Sequence, residues 1–317
     1  MLAFERLVFA PGVAMIGNTT FINAGLEEAV ELSGVTDAAE KEGTPLNNLL
    51  ARVMGDEQGR FEPGNGRGGN GDDIAEFAGR QCYRSWDKGR DNASYIANVQ
   101  AMGHGSVFEH ASIVFQVTGV SRSLTHELIR HRVGTAYSQE SQRYVDAKDI
   151  RFVVPPLIVN AIKSEIGALP IHPLNSLKLS GRTAKAAEIF TRSCSNSLDD
   201  YIEIQPILKE LCDEAHAAAI AGNIKVATAA QKRANEAARS VLPNATETRL
   251  VFTVNLRQIY HVLLLRGGEP ADLEIRRFVI ALLDNARDYA PNFFRDVQLY
   301  IGADNIEALR SETNERL

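Results

Sequence analysis

The chain has 317 residues, of which 44% are hydrophobic and 23% charged, and a net charge of −6. This is the make-up of a soluble globular protein with material for one large domain or two. The acidic balance argues against general nucleic-acid binding, which calls for a basic surface, but permits a local basic pocket for a small anion.

The first 35 residues mix short apolar runs with Gly and Pro and read as strand and loop. Composition then shifts between Thr44 and about Asp73. The stretch Pro63-Gly64-Asn65-Gly66-Arg67-Gly68-Gly69-Asn70-Gly71 is too glycine-rich for helix or strand. It predicts a flexible surface loop over about 60–73, without the Gly-Lys-Ser/Thr ending of a phosphate loop. Ala111 to Thr118 alternates: Ala111, Ile113, Phe115 and Val117 face one way, which predicts a strand that Gly119 breaks. Ser121 or Ser123 then caps a helix through Leu124, Leu128 and Ile129 that runs out near Gly134. Arg130-His131-Arg132 would lie in its last turn, and Ser138 to Tyr144 would follow as a loop.

Residues 182–240 read as helices broken at Gly222-Asn223. The second is rich in small residues (Ala227, Ala229, Ala230, Ala234, Ala237, Ala238) that allow close packing, in the core or between subunits, and it stops at Leu242-Pro243. A second alternating strand carries Leu250, Phe252 and Val254 on one face. Asn255 caps a helix with core face Ile259, Val262 and Leu263, which Gly267-Gly268 ends. A last amphipathic helix spans roughly Ala271 to Tyr289. Strands and helices mix without regular β-α alternation, so the expected class is α+β, with a mixed or antiparallel sheet flanked by helices.

Arg130-His131-Arg132 with Ser138-Gln139-Glu140-Ser141-Gln142-Arg143-Tyr144 is the densest chemical signal. Guanidiniums interleaved with Ser, Gln and Tyr suit a planar, anionic, ring-bearing ligand such as a nucleotide. The competing reading is a helix end whose cations complement its dipole. Arg239, Asn255, Arg257, His261 and Arg266 form a second cluster, in which Arg257 and His261 are four apart and share a helix face. His126 and His131 sit five apart, about 140° around a helix, which fails the zinc-protease spacing, and no metal site is expected. Cys82, Cys194 and Cys212 form neither a disulfide framework nor a zinc pattern, so a cytoplasmic setting is the expectation. No apolar run approaches the roughly 18 residues of a membrane span. No cysteine sits beside a histidine, no Gly-x-Ser-x-Gly elbow occurs, and no Gly-x-Gly-x-x-Gly fingerprint opens a helix.

Five ordered blocks resemble the flavin-dependent thymidylate synthases, the ThyX family. They are Ala78-Gly79-Arg80-Gln81-Cys82-Tyr83-Arg84-Ser85, then Gly103-His104-Gly105-Ser106-Val107-Phe108-Glu109-His110, then the Arg-His-Arg run with Ser138 to Tyr144. Ala238-Arg239-Ser240-Val241-Leu242-Pro243 and Asn255 through Arg266 to Glu274-Ile275-Arg276 complete the set. Two departures stand out. Eight residues, Val133 to Glu140, separate Arg-His-Arg from Ser141, one more than the commonest family spacing, and Glu127 replaces a frequent Gln. The resemblance implies a single catalytic domain over 1–317, with a variable segment about 155–200, assembled as a homotetramer with shared active sites. It implies reductive methylation of dUMP to dTMP with 5,10-methylenetetrahydrofolate, NADPH and FAD. It assigns Arg143, Ser141 and Arg266 to catalysis, and Glu127, Arg130, Gln139, Glu140, Ser141, Gln142, Arg143, Arg239 and Arg266 to dUMP. It assigns Cys82, His104, Ser106, Glu109, Arg130, His131, Arg132, Asn255, Arg257 and His261 to FAD. A pyrimidine-nucleotide hydroxymethylase of the same fold, or a non-enzymatic nucleotide- or RNA-binding protein, are the alternatives.

Overall fold

The structure is a computed structural model that describes residues 4–20, 23–32, 35, 40–41, 43–54, 70–169, 177–220 and 224–313. In chain order the strands are β1 (Leu7–Val8), β2 (Gly12–Asn18), β3 (Ser112–Ser121), β4 (Thr135–Gln139), β5 (Phe152–Val153), β6 (Glu247–Asn255), β7 (Val297–Ile301) and β8 (Glu307–Ser311). The helices are α1 (Asn23–Leu32), α2 (Pro45–Met54), α3 (Gly71–Tyr83), α4 (Asn92–Ala101), α5 (Arg122–Leu128), α6 (Pro156–Ile166), α7 (Gly181–Ile220), α8 (Ile224–Ala238), α9 (Leu256–Gly267) and α10 (Leu273–Tyr289). The class is α+β, as the lack of β-α alternation predicts.

Four strands form a sheet in the order β2-β3-β6-β4. Bonds at the strand ends show β6 to be antiparallel to both β3 and β4. Arg122 N donates to Thr246 O while Leu256 N donates to Ala111 O, and Glu140 N donates to Arg249 O while Asn255 N donates to Gly134 O. β1 pairs with β5 in parallel and β7 with β8 antiparallel.

The chain divides into two compact units: unit 1 is Met1–Gly12, Val117–Ile129 and Ser138–Leu250, and unit 2 is Val13–Gln116, Arg130–Tyr137 and Val251–Leu317. In unit 1, α7 and α8 pack as a helical pair. Ala230, Ala234 and Ala238, four apart, are buried, so the small-residue stripe serves the core of this unit. Tyr201 and Ala147 pack with Ala238, and Phe152 packs with Cys194 and Leu198. In unit 2 the core is aromatic: Phe108 lies 4.3 Å from Phe293, Phe293 is edge-on to Phe294, and Tyr260 packs on both. Tyr137 and Phe115 stack on Phe252, whose own face of β6 is the apolar one that the alternation predicts.

Several boundaries differ from the sequence reading. Gly119 does not break β3, which runs to Ser121. Its φ of +69° is a kink inside the strand, its N–H donates to Glu247 Oε1 at 2.9 Å, and a Cβ there would meet Ala10 O at 2.6 Å. Ser121, and not Ser123, caps α5, accepting from Leu124 N at 3.0 Å. That helix ends at Leu128, so Arg130-His131-Arg132 follow it instead of forming its last turn. The segment expected as loop contains β4, because residues 135–139 find a partner in β6 that local sequence cannot reveal. Residues Asn23–Leu32, read as strand and loop, are helical, as are Pro45–Met54. Asn70 ends the glycine-rich stretch as a helix cap: its side chain accepts from Asp72 N and Asp73 N, so 71–73 are helix instead of loop. Pro63 to Gly69 and the expected break at Gly222-Asn223 lie outside the described residues.

Candidate functional site

Unit 1 carries the end of β4 and the turn that follows it. Gln139 Nε2 donates to Thr125 Oγ1 at 3.2 Å and to Thr248 Oγ1 at 3.1 Å, which fixes the strand end against α5 and β6. Glu140 is exposed and held through its backbone to Arg249. Ser141 makes the turn: its carbonyl accepts from Tyr144 N and Val145 N, and its hydroxyl accepts from Arg143 N at 3.4 Å. Arg143 is half-buried, 3.5 Å from the Glu236 carboxylate and over the Tyr144 ring at 5.6 Å. Its backbone is anchored from α8: buried Asn235 donates to Arg143 O at 3.2 Å and accepts from Gln205 at 3.0 Å and from Gln231 at 2.8 Å. Glu127 is half-buried on α5.

Beside this turn lies a cavity of about 420 Å³ lined by Arg122, Gln142, Glu236, Arg239, Ser240 and Asn244, among others. Burial, and then the charge of Arg239, push the Arg122 guanidinium below its usual range. Two cations are thus held close enough to repel in a polar hollow, an arrangement that a bound anion relieves. Arg122 escaped the sequence reading. A signal existed: it is the first residue of α5, where a cation opposes the helix dipole. Gln142 and Arg239 line the cavity, whereas Arg143 itself does not and borders it through Glu236.

Unit 2 gathers the second set. Tyr83 Oη and His104 Nδ1 are 2.9 Å apart and their rings stack at 5.5 Å, with Cys82 exposed alongside in sequence. Ser106 is exposed on a 3-10 turn over Gly105–Glu109, whose last residue pairs with Arg257 at 2.5 Å. Asn255 is buried and caps α9, accepting from Gln258 N at 2.9 Å, while its N–H donates to Gly134 O. Gly134 has φ +64°, and a Cβ there would lie 2.2 Å from Asn255 Nδ2, so the longer Val133–Ala136 connection closes tightly over the cap.

His131 is buried, while Arg130 and Arg132 on either side are exposed. Arg266 Nε donates to His131 Nε2 at 3.0 Å, and the exposed His261 ring lies edge-on to His131 at 5.9 Å. Burial, then the charges of Arg266, His261 and Arg130, push His131 down to about 4. The structure therefore groups Arg266 with His131 and His261 in unit 2, whereas Arg143, Ser141 and Arg239 belong to unit 1. Among the described residues, no group of three or more His, Cys, Asp or Glu side chains could hold a metal ion, and no helix is long and apolar enough to cross a membrane.

Residues 68–292 match the family described as thymidylate synthase complementing protein. A flavin-dependent thymidylate synthase from Mycolicibacterium vanbaalenii is 41% identical over 243 residues, 75% of this chain and 84% of the relative. Similar proteins of the same name occur in Mycobacterium avium, 39% identical over 251 residues (75% and 84%), and in Mycobacterium tuberculosis, 39% identical over 243 residues (75% and 84%).

Proposed function

Because this chain belongs to the flavin-dependent thymidylate synthase family, we propose that it methylates dUMP reductively to dTMP, taking the carbon from 5,10-methylenetetrahydrofolate and releasing tetrahydrofolate. The observation that carries the reading is the Arg122/Arg239 pair in the unit 1 cavity beside the Arg143 turn. dUMP brings a phosphate dianion and a dioxo ring. Arg122 and Arg239 hold the phosphate by charge-assisted hydrogen bonds, with Gln142 beside them. Arg143 meets a ring carbonyl, where a preset guanidinium stabilises the negative charge that builds as carbon 5 becomes nucleophilic. Gln139, Glu140 and Ser141 set the backbone path that presents it. Glu127, half-buried on α5 of the same unit, is read with this set.

The unit 2 side chains fit FAD by their chemistry. Arg130, Arg132 and Arg257 suit its phosphates, and the Tyr83–His104 stack, His261 and Asn255 suit a flat ring system with polar edges. Ser106, Glu109 and Cys82 stand beside them. Bound FAD supplies the relay of reducing equivalents from NADPH, so the protein needs no thiol nucleophile of its own. We read 1–317 as one catalytic domain, because the family match covers parts of both units. Exposed Ile189, Ile202, Ile207 and Leu211 on α7 support assembly into a homotetramer. The acidic net charge favours small-molecule substrates over nucleic acid, and the three scattered cysteines fit a reducing cytoplasm.

The test is an incubation of the FAD-loaded protein with dUMP, 5,10-methylenetetrahydrofolate and NADPH, followed by mass spectrometry of the nucleotide. A methylated product that requires all four components is expected. A hydroxymethylated product would replace the reading with the neighbouring reaction, and a colourless protein that takes up no FAD would remove it.

A further inference from the structure

We infer that the imidazole of His131 is a positioning residue for Arg266: a neutral acceptor that aims the guanidinium, and not itself a group that holds the flavin. The inference rests on the catalytic and dUMP-binding role that the family likeness assigns to Arg266.

Three observations carry it. The first is burial: in the run Arg130-His131-Arg132 the central side chain points inward while its neighbours stay exposed. The second is the backbone clamp. The His131 carbonyl accepts from Thr135 Oγ1 at 2.7 Å and from the Tyr137 hydroxyl at 2.6 Å. Tyr137 is in turn stacked on Phe252 at 5.2 Å with an 11° interplanar angle, so the clamp is anchored in the aromatic core of unit 2. The third is the bond itself. A guanidinium only donates, so His131 Nε2 must be the unprotonated nitrogen and Nδ1 must carry the proton. Nε and the terminal nitrogens of arginine lie in one plane, so fixing Nε on a rigid acceptor limits the swing of the whole fork. Burial and surrounding cations keep the ring neutral at physiological pH, which keeps the acceptor available. The histidine of the motif thus does a different task from the two arginines beside it.

The experiment compares His131→Leu, which keeps bulk but lacks an acceptor, with His131→Gln, whose amide oxygen can accept. FAD content is read from flavin absorbance and turnover of dUMP from the methylation assay, each also in an Arg266→Ala background. His131→Leu is expected to lower turnover about 10- to 100-fold, the range of one lost hydrogen bond to a charged group, with FAD content unchanged. His131→Gln is expected to recover most of that loss, and His131→Leu to add less than about 2-fold once Arg266 is alanine. An equal loss in both backgrounds, or FAD lost together with activity, would overturn the inference. A second arm works whether or not the variants fold: ¹⁵N spectra of histidine-labelled wild-type protein give the tautomer. A proton on Nδ1 supports the inference, and a proton on Nε2 ends it. Failure of wild-type protein to methylate dUMP would count against the proposed function instead, leaving the tautomer result to judge the geometry.

Discussion

The two units build their polar clusters in opposite ways. In unit 1 the cations of the cavity stand against one another, Arg122 beside Arg239, and the lining carboxylate, Glu236, is a loose 3.5 Å from Arg143. In unit 2 the side chains already satisfy each other: Arg257 with Glu109 at 2.5 Å, Arg266 with His131 at 3.0 Å, Tyr83 with His104 at 2.9 Å. The first cluster is charge waiting for a counter-charge, and the second is shape held in place. On this comparison, changes in unit 1 should strike affinity for a mobile anionic substrate. Changes in unit 2 should strike the fit of a resident cofactor and the aim of its neighbours.

The largest expected break is Arg143→Ala. It should abolish measurable dUMP binding by calorimetry while FAD remains bound, and wild-type dUMP affinity in that variant would remove Arg143 from the substrate set. Next, Arg122→Ala or Arg239→Ala should weaken dUMP about 10- to 100-fold, since each removes charge-assisted bonds to phosphate. Neither should affect deoxyuridine, which has no phosphate, and an equal loss for both ligands would place the phosphate elsewhere.

His131 gives a pH signature on the unit 2 side. Its folded value of about 4 lies below the ordinary 6.5, so the folded chain binds this proton more weakly than the unfolded chain does. Its contribution is therefore complete above pH 6.5 and is lost as pH falls toward 4, on the order of 3 kcal/mol. Denaturant titrations at pH 7.5 and 4.5 should show a smaller acid loss for His131→Gln than for wild type. Identical losses would mean that His131 titrates normally. The smallest expected effect is Glu236→Gln. Removing the carboxylate from a cavity built for an anion should tighten dUMP a few-fold, by the scale of an exposed ion pair. Weaker binding would instead make Glu236 a direct ligand partner.

Much of the frame is legible in the sequence, for local reasons. The alternation in Ala111–Val117 and Leu250–Val254, and the caps Ser121 and Asn255, depend on residues close together in the chain. What escaped depends on partners far away. β4 exists because β6 is there to pair with it, and β3 passes through Gly119 because Glu247 accepts its N–H. The end of α5 at Leu128 follows from the buried place of His131, clamped by Thr135 and Tyr137, which a helix continuing to Gly134 could not provide. At the candidate site, the motif arginines could be named from sequence, but their grouping could not. Arg266 lies with His131, and Arg122 enters only through the approach of Arg239.

The most direct test of this division is a paired binding measurement on Arg239→Ala and Arg257→Ala, with FAD content read by absorbance and dUMP affinity by calorimetry. Arg239→Ala should keep its FAD and lose dUMP affinity by at least about 10-fold, while Arg257→Ala should lose FAD. Loss of FAD in Arg239→Ala with dUMP affinity intact would contradict it.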